Sequence, residues 1–205
     1  MLRTELRRVP LRVLVAWLAL SALGLVAGES LIGLSRPALS WMLTQLAPDL
    51  TGPLDFVEHR GQRHLRFDAH ATSALTLGPR LAIPAGQPLP SSASLAHVLV
   101  PLVIFGSLVL AWPSRSGAEL GRRLLYGCVG GVLVLLLTTP VQLIGLIELA
   151  VQGYTEQQGA PRAPPLVLQS MLMLEGGGRW ALPVALATLV IGLARPRAAA
   201  RRSAA

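Results

Sequence analysis

The chain has one cysteine, Cys128, so no internal disulfide can staple it. It has no lysine, and all eighteen basic residues are arginine. Charged residues fill only 14% of its 205 positions and aromatic residues 4%. Common catalytic motifs are missing too. There is no G-x-S-x-G nucleophile elbow and no H-E-x-x-H zinc helix. Gly176, Gly177 and Gly178 lack the Lys and Ser/Thr of a phosphate-cradling loop and read as a helix break. Cys128 has no histidine near it in the chain and reads as a small buried hydrophobe rather than a nucleophile. These absences leave no recognisable catalytic set, and no cofactor is expected.

What the chain has in abundance is apolar surface. With 52% hydrophobic residues and a mean hydropathy of +0.56, it has too little polar surface to cover a soluble globule. A membrane helix needs roughly 20 apolar residues, because in lipid each backbone amide must be satisfied within its own segment. Residues 13–34, 94–112 and 124–151 meet or approach that length, the last with a bend expected at Pro140. Residues 180–194 are short alone and reach a full span only through Arg179 and the glycines, or by starting near Pro165. The expected fold is mainly α, a four-span transmembrane bundle with a small β-hairpin or three-strand insertion between spans one and two. Its segments are a basic N-terminus with the first span at 1–35 and an outer module of amphipathic helix and strands at 36–93. The second span at 94–112, a basic loop at 113–123 and the third span at 124–151 follow. An outer loop with an amphipathic segment at 152–179, the fourth span at 180–194 and a basic tail at 195–205 complete the chain.

Arginine placement sets the orientation. Arg3, Arg7, Arg8 and Arg12 precede the first span, and Arg115, Arg122 and Arg123 lie between the second and third. Arg195, Arg197, Arg201 and Arg202 follow the fourth. The other arginines are spread over long loops that also carry Asp49, Asp55, Glu58, Asp68, Glu156 and Glu175. The positive-inside rule therefore puts both termini and the middle loop in the cytoplasm. A cut after Gly28 would suit a signal peptide, but the apolar run continues through Leu34, which fits an uncleaved anchor. The net charge of +8 is then juxtamembrane arginine that attracts membrane lipids. No basic module with interleaved aromatics points to nucleic acid.

Within the outer module, residues 38–46 have the spacing of an amphipathic helix, or simply extend the first span past Pro37. Residues 54–69 alternate and predict a hairpin turning at Gly61-Gln62, with Phe56 opposite Phe67, His59 opposite His64 and Asp55 opposite Asp68. Leu54, Phe56, Leu65 and Phe67 then share one face. Asp55, His59, His64, Arg66 and Asp68 share the other, a candidate recognition face. These are metal-ligand types without a closed ligand set, so a solvated face is the preferred reading. A third strand is expected at 74–83, followed by a proline-rich tether at 84–90.

Glu29 and Glu148 each lie near the outer end of a span, at similar expected depth. Gly145, Glu148 and Gln152 fall on one helical face bordered by Gln142. With Arg36 and Arg179 these residues make a candidate partner or packing site. The alternative is a small proton-coupled transporter or channel subunit that uses the two glutamates as relay groups.

At Pro140-Val141-Gln142-Leu143-Ile144-Gly145, after a short basic loop, the chain resembles small membrane proteins described as exosortase H-associated. The layout is similar as well: an anchor, an outer segment of short strands, a hairpin of spans and a final span with a proline, here Pro183. The resemblance implies a bacterial inner-membrane protein, multi-pass, with periplasmic outer loops. It would work beside an exosortase, a membrane transpeptidase-like enzyme that processes exported proteins. The catalytic Cys, Arg and His would be the partner's, and this chain would be a non-enzymatic accessory.

Overall fold

The computed structural model describes residues 8–78 and 81–195, so Arg3, Arg7, Arg80, Arg197, Arg201 and Arg202 fall outside the described residues. Helix α1, Val9–Leu46, opens with Pro10 in its first turn, where a missing N–H costs nothing, and continues through Pro37. Residues 38–46 are therefore the end of the first helix rather than a separate interfacial one. Leu39 and Leu43 are buried there, and Trp41 is exposed.

Helix α2, Leu95–Ala111, starts at Ser94, whose Oγ accepts from the His97 N–H at 3.3 Å. Helix α3, Gly117–Gln157, starts at Ser116, which accepts from the Glu119 N–H at 3.2 Å. The Glu119 carboxylate accepts in turn from the Arg115 N–H at 3.2 Å, a reciprocal cap encoded by S-x-x-E. Helices α4, Leu166–Met173, and α5, Arg179–Ala194, are joined by a π turn, Leu174–Gly178. The glycine run breaks the helix there, at Gly177 with φ +132°. Among the described residues, three helical stretches are long and apolar enough to cross a membrane: α1, α3 and the 29 residues Leu166–Ala194. Helix α2 is apolar but has 17 residues.

Among the described residues, six strands separate α1 from α2: β1 Leu50–Thr51, β2 Leu54–His59, β3 Gln62–Ala71, β4 Leu75–Gly78, β5 Leu81–Ile83 and β6 Pro88–Ser94. Strand β3 is the centre of an antiparallel sheet, with β2 and β1 on one side and β6 on the other. The β2–β3 hairpin pairs Leu54 with Phe67, Asp55 with Arg66, Phe56 with Leu65 and Val57 with His64. That register is offset by two residues from the expected one. The turn is Arg60-Gly61, both with positive φ (+52° and +73°), as a tight two-residue hairpin turn requires. An even offset preserves parity, so the two faces sort as the alternation predicts while every named cross-strand pair changes.

The expected third strand is instead a separate hairpin, β4–β5, in its own two-stranded sheet. The expected tether supplies β6, which pairs with β3 from His64↔Ser94 to His70↔Pro88. Pro88 and Pro90 are tolerated because β6 is an edge strand, where an outward N–H is not needed.

Helices α1 and α3 have 38 and 41 residues, about 57 and 61 Å at 1.5 Å per residue. That is about twice a hydrocarbon core of roughly 30 Å. The surplus divides the molecule into two layers. In the helical layer, α2 runs antiparallel beside the first half of α1, with Leu99 approaching Gly28 (2.6 Å from an added Cβ) and Leu20 approaching Gly106 (2.9 Å). Phe105 and Val190 close on Gly130 at 2.6 and 3.3 Å, bringing α3 against α2 and α5. Phe105, Val109, Val134, Ala187 and Val190 form the core of this layer. In the mixed layer, Ile32, Leu39 and Leu43 of α1 meet Leu54, Leu65 and Phe67 of the sheet and Leu143, Ile144 and Ile147 of α3.

Cys128 is exposed on α3 rather than buried. Gly127, Gly130 and Gly131 take the inward face of that turn, which points Cys128 outward.

Candidate functional site

The residues singled out on α3 converge on one task. The helix ends in a tight reversal: the Ala160 N–H donates to the Thr155 carbonyl at 2.9 Å, with Gly159 at φ +68°. The chain then returns along α3 through Pro161 and Arg162. The Arg162 guanidinium donates to Glu148, and the Arg162 carbonyl accepts from Gln152 Nε2 at 3.0 Å. Gln152 also donates to Glu156 at 3.2 Å. Glu148, Gln152 and Glu156 are one turn apart, so a single helical stripe clamps the return segment by side chain and backbone. One turn earlier, Gly145 gives up its side-chain space to Met171 of α4, whose Cγ lies 2.6 Å from where a Cβ would stand. Gln142, one turn earlier again, is buried.

This clamp walls a cavity of about 410 Å³. Leu46 at the end of α1, Asp49 in the turn before β1, Thr76 on β4, and Ile147 and Glu148 on α3 border it together with Arg162. Asp49, Ser73, Thr76, Glu148 and Arg162 give it polar groups among otherwise apolar walls, and Arg162 keeps a buried Nε–H without an acceptor. The cavity's volume is that of a small ligand pocket.

Glu29 is elsewhere. It pairs with Arg63 of β3 at 2.9 Å, close to where Leu95 and Leu99 of α2 cover Gly28. Glu148 lines the same cavity as Leu46, 17 residues further along α1, or about 25 Å at 1.5 Å per residue. The two glutamates therefore differ in height and engage different arginines. Equal sequence distance from the ends of hydrophobic runs misjudged their depth because both helices continue beyond the apolar layer.

Arg36 pairs with Asp55, tying α1 to β2. Arg179, nearly buried, donates to Glu175 and to His97 Nδ1, the latter at 2.6 Å. Since arginine only donates, Nδ1 accepts, and Nε2–H points to Glu175 at 3.3 Å. This triangle joins the start of α2 to the π turn and α5. On the candidate recognition face, the His59 and His64 rings meet edge to face at 5.8 Å, and Arg66 pairs with Asp68 at 2.6 Å. Asp55 is taken by Arg36, so that face does not act as one cluster. Among the described residues no three His, Cys, Asp or Glu side chains come together as a metal site.

Arg63 and Arg162, the two arginines that pair with the highlighted glutamates, are not among the candidate residues that the sequence singles out. Arg162 sits in a proline-flanked return after a helix that ends in glycine, a recognisable pattern. Arg63 carried no comparable signal, because its partner depends on hairpin register. No protein-family model matches the chain, and neither a curated protein nor a solved structure matches it.

Proposed function

We propose that this is a four-pass membrane protein acting as a non-enzymatic accessory, with the helical layer as anchor and the mixed layer as a recognition module. The arginine distribution supports cytoplasmic termini and a mixed layer on the opposite side, periplasmic in a bacterial inner membrane. The observation that carries the reading is the cavity between α1, β4, α3 and α4, with Asp49, Thr76, Glu148 and Arg162 among its apolar walls and the Glu148–Arg162 clamp along one side. Its size and lining suit a short peptide segment from a membrane partner or an exported client of that partner. The partner class suggested by the sequence resemblance is an exosortase, which would contribute all of the catalysis.

A proton-coupled transporter would need Glu29 and Glu148 along one path. Their separate pairings at different heights give that alternative no support.

The test is photo-crosslinking in native membranes from a probe at Thr76 in the cavity, with a control probe at Leu125 on the exposed side of α3. Capture of a transpeptidase-like membrane enzyme or its exported substrate from Thr76 alone is expected. Capture of only lipid and further copies of this chain from both positions refutes the proposal.

A further inference from the structure

The β2–β3 hairpin runs down α1 toward the helical layer. Asp55 in β2 meets Arg36, whereas Arg63, just past the turn, meets Glu29, two turns nearer the start of α1. The hairpin tip then closes one end of a cleft of about 580 Å³ between α1 and α2. Gln62, Arg63 and Ser94 make the polar end, and Trp17, Leu99 and Val103 make the apolar wall. On α1 at this height, Leu25 and Val26 are 85% and 89% exposed, side chains that only hydrocarbon would cover favourably. Arg60, at the turn, is exposed and makes no ion pair among the described residues.

We propose that this cleft binds one phospholipid whose headgroup carries both a phosphate and an ammonium, with the phosphate at Arg60 and Arg63 and an acyl chain along Trp17 and Leu99. Arginine forks suit phosphate oxygens, and the chain end of the cleft offers only apolar partners. The headgroup assignment follows from the acids around Arg63, outside the cleft's own lining. Glu29 already sits on Arg63, and exposed Glu58 stands opposite Arg63 in the ladder. Two carboxylates beside two guanidiniums disfavour a purely anionic headgroup and suit one that presents both signs. The inference rests on placing the helical layer in a bilayer.

Two measurements separate the inference from that premise. Native mass spectrometry of the full chain, extracted in mild detergent, is expected to show one retained aminophospholipid. Its occupancy falls roughly fivefold in Arg60→Gln, which leaves the Glu29–Arg63 pair untouched. It disappears in Ala96→Phe, a substitution at an exposed position that fills the cleft. Absence of a retained lipid, retention of an anionic lipid without an amine, or indifference to both variants overturns the proposal. In parallel, the chain is reconstituted in vesicles of phospholipid brominated on the acyl chain. Loss of the Trp17 emission, read as wild type minus Trp17→Phe, supports the bilayer premise. Unquenched Trp17 overturns premise and proposal together, whereas a quenched Trp17 without a retained lipid overturns the proposal alone.

Discussion

Arginine does different work in the two layers. At the end of the helical layer remote from the sheet, Arg122 Nε donates to the Ala194 carbonyl at 3.3 Å, closing α5. Arg123 donates to the Trp112 carbonyl and, at 3.4 Å, to that of Val109, closing α2. Arg195 lies over the Trp112 ring at 6.0 Å. Arg123 also lies 3.7 Å from the Glu119 carboxylate on its own helix. In the mixed layer, Arg36, Arg63, Arg66, Arg162 and Arg179 meet carboxylates, and none of them closes a helix end by donating to its last carbonyls. The contrast follows from solvent. A helix that ends among apolar neighbours leaves its last carbonyls without water, and a long cationic donor is the available remedy. Where water is at hand those carbonyls need no help, and ion pairs serve to hold segments distant in the chain.

If that contrast is right, its largest consequence is at Arg123, which is 1% exposed beside equally buried Glu119. Arg123→Met leaves two helix-end carbonyls without their donor and the buried Glu119 carboxylate with only the Arg115 N–H, at an expected cost of about 3–5 kcal/mol. Denaturation in detergent micelles reads this directly. A loss no larger than that of Arg66→Gln in the mixed layer would erase the distinction.

Glycine gives the next sharpest comparison. Gly145→Ala drives a Cβ into the stem of Met171, which cannot swing aside, and should cost about 1–3 kcal/mol by displacing α4. Gly33→Ala on α1 meets nothing within 4 Å and should gain up to about 1 kcal/mol from reduced backbone freedom in the unfolded chain. Limited proteolysis is expected to open residues 158–165 in Gly145→Ala only.

How much of this was legible beforehand depends on the range of the interaction. The apolar runs overlap α1, α2, α3 and α5, since hydropathy is local, but α1 and α3 both continue past the runs that mark them. The faces of the hairpin were readable because alternation survives an even slip. Its register was not, because the Arg60-Gly61 turn depends on Arg60 adopting positive φ, which composition does not advertise. Proline misled in β6: Pro88 and Pro90 read as a tether because an edge strand is indistinguishable from a linker until its partner is known. The helical stripe from Gly145 to Gln152 was visible as a face, but its partner, the return segment around Arg162, was not. Cys128 failed for a related reason, since hydrophobic surroundings in sequence do not say which side of a helix meets lipid.

The glutamates provide a finer comparison within the mixed layer. Glu148 and Arg162 are each 25% exposed on the side chain, whereas Glu29 and Arg63 are 40% and 54% exposed. Glu148→Gln should therefore cost about 1 kcal/mol, already discounted for partial solvent screening, and loosen the return segment. Glu29→Gln should cost a few tenths at most. Unfolding midpoints of the two variants, measured at low and high salt, decide between them, with salt narrowing the difference.

The smallest expected effect is on Cys128. Its side of α3 also carries exposed Leu124, Leu125, Val129 and Val132, so a bilayer covers it if the helical layer is the anchor. Cys128→Ala should leave stability within about 0.5 kcal/mol, as an exposed position without partners allows. In intact membranes a charged maleimide should not label Cys128, and after unfolding in detergent it should label fully. Thiolate formation and reagent access both require water, so rapid labelling in intact membranes would place this face in solvent and remove the helical layer from the bilayer.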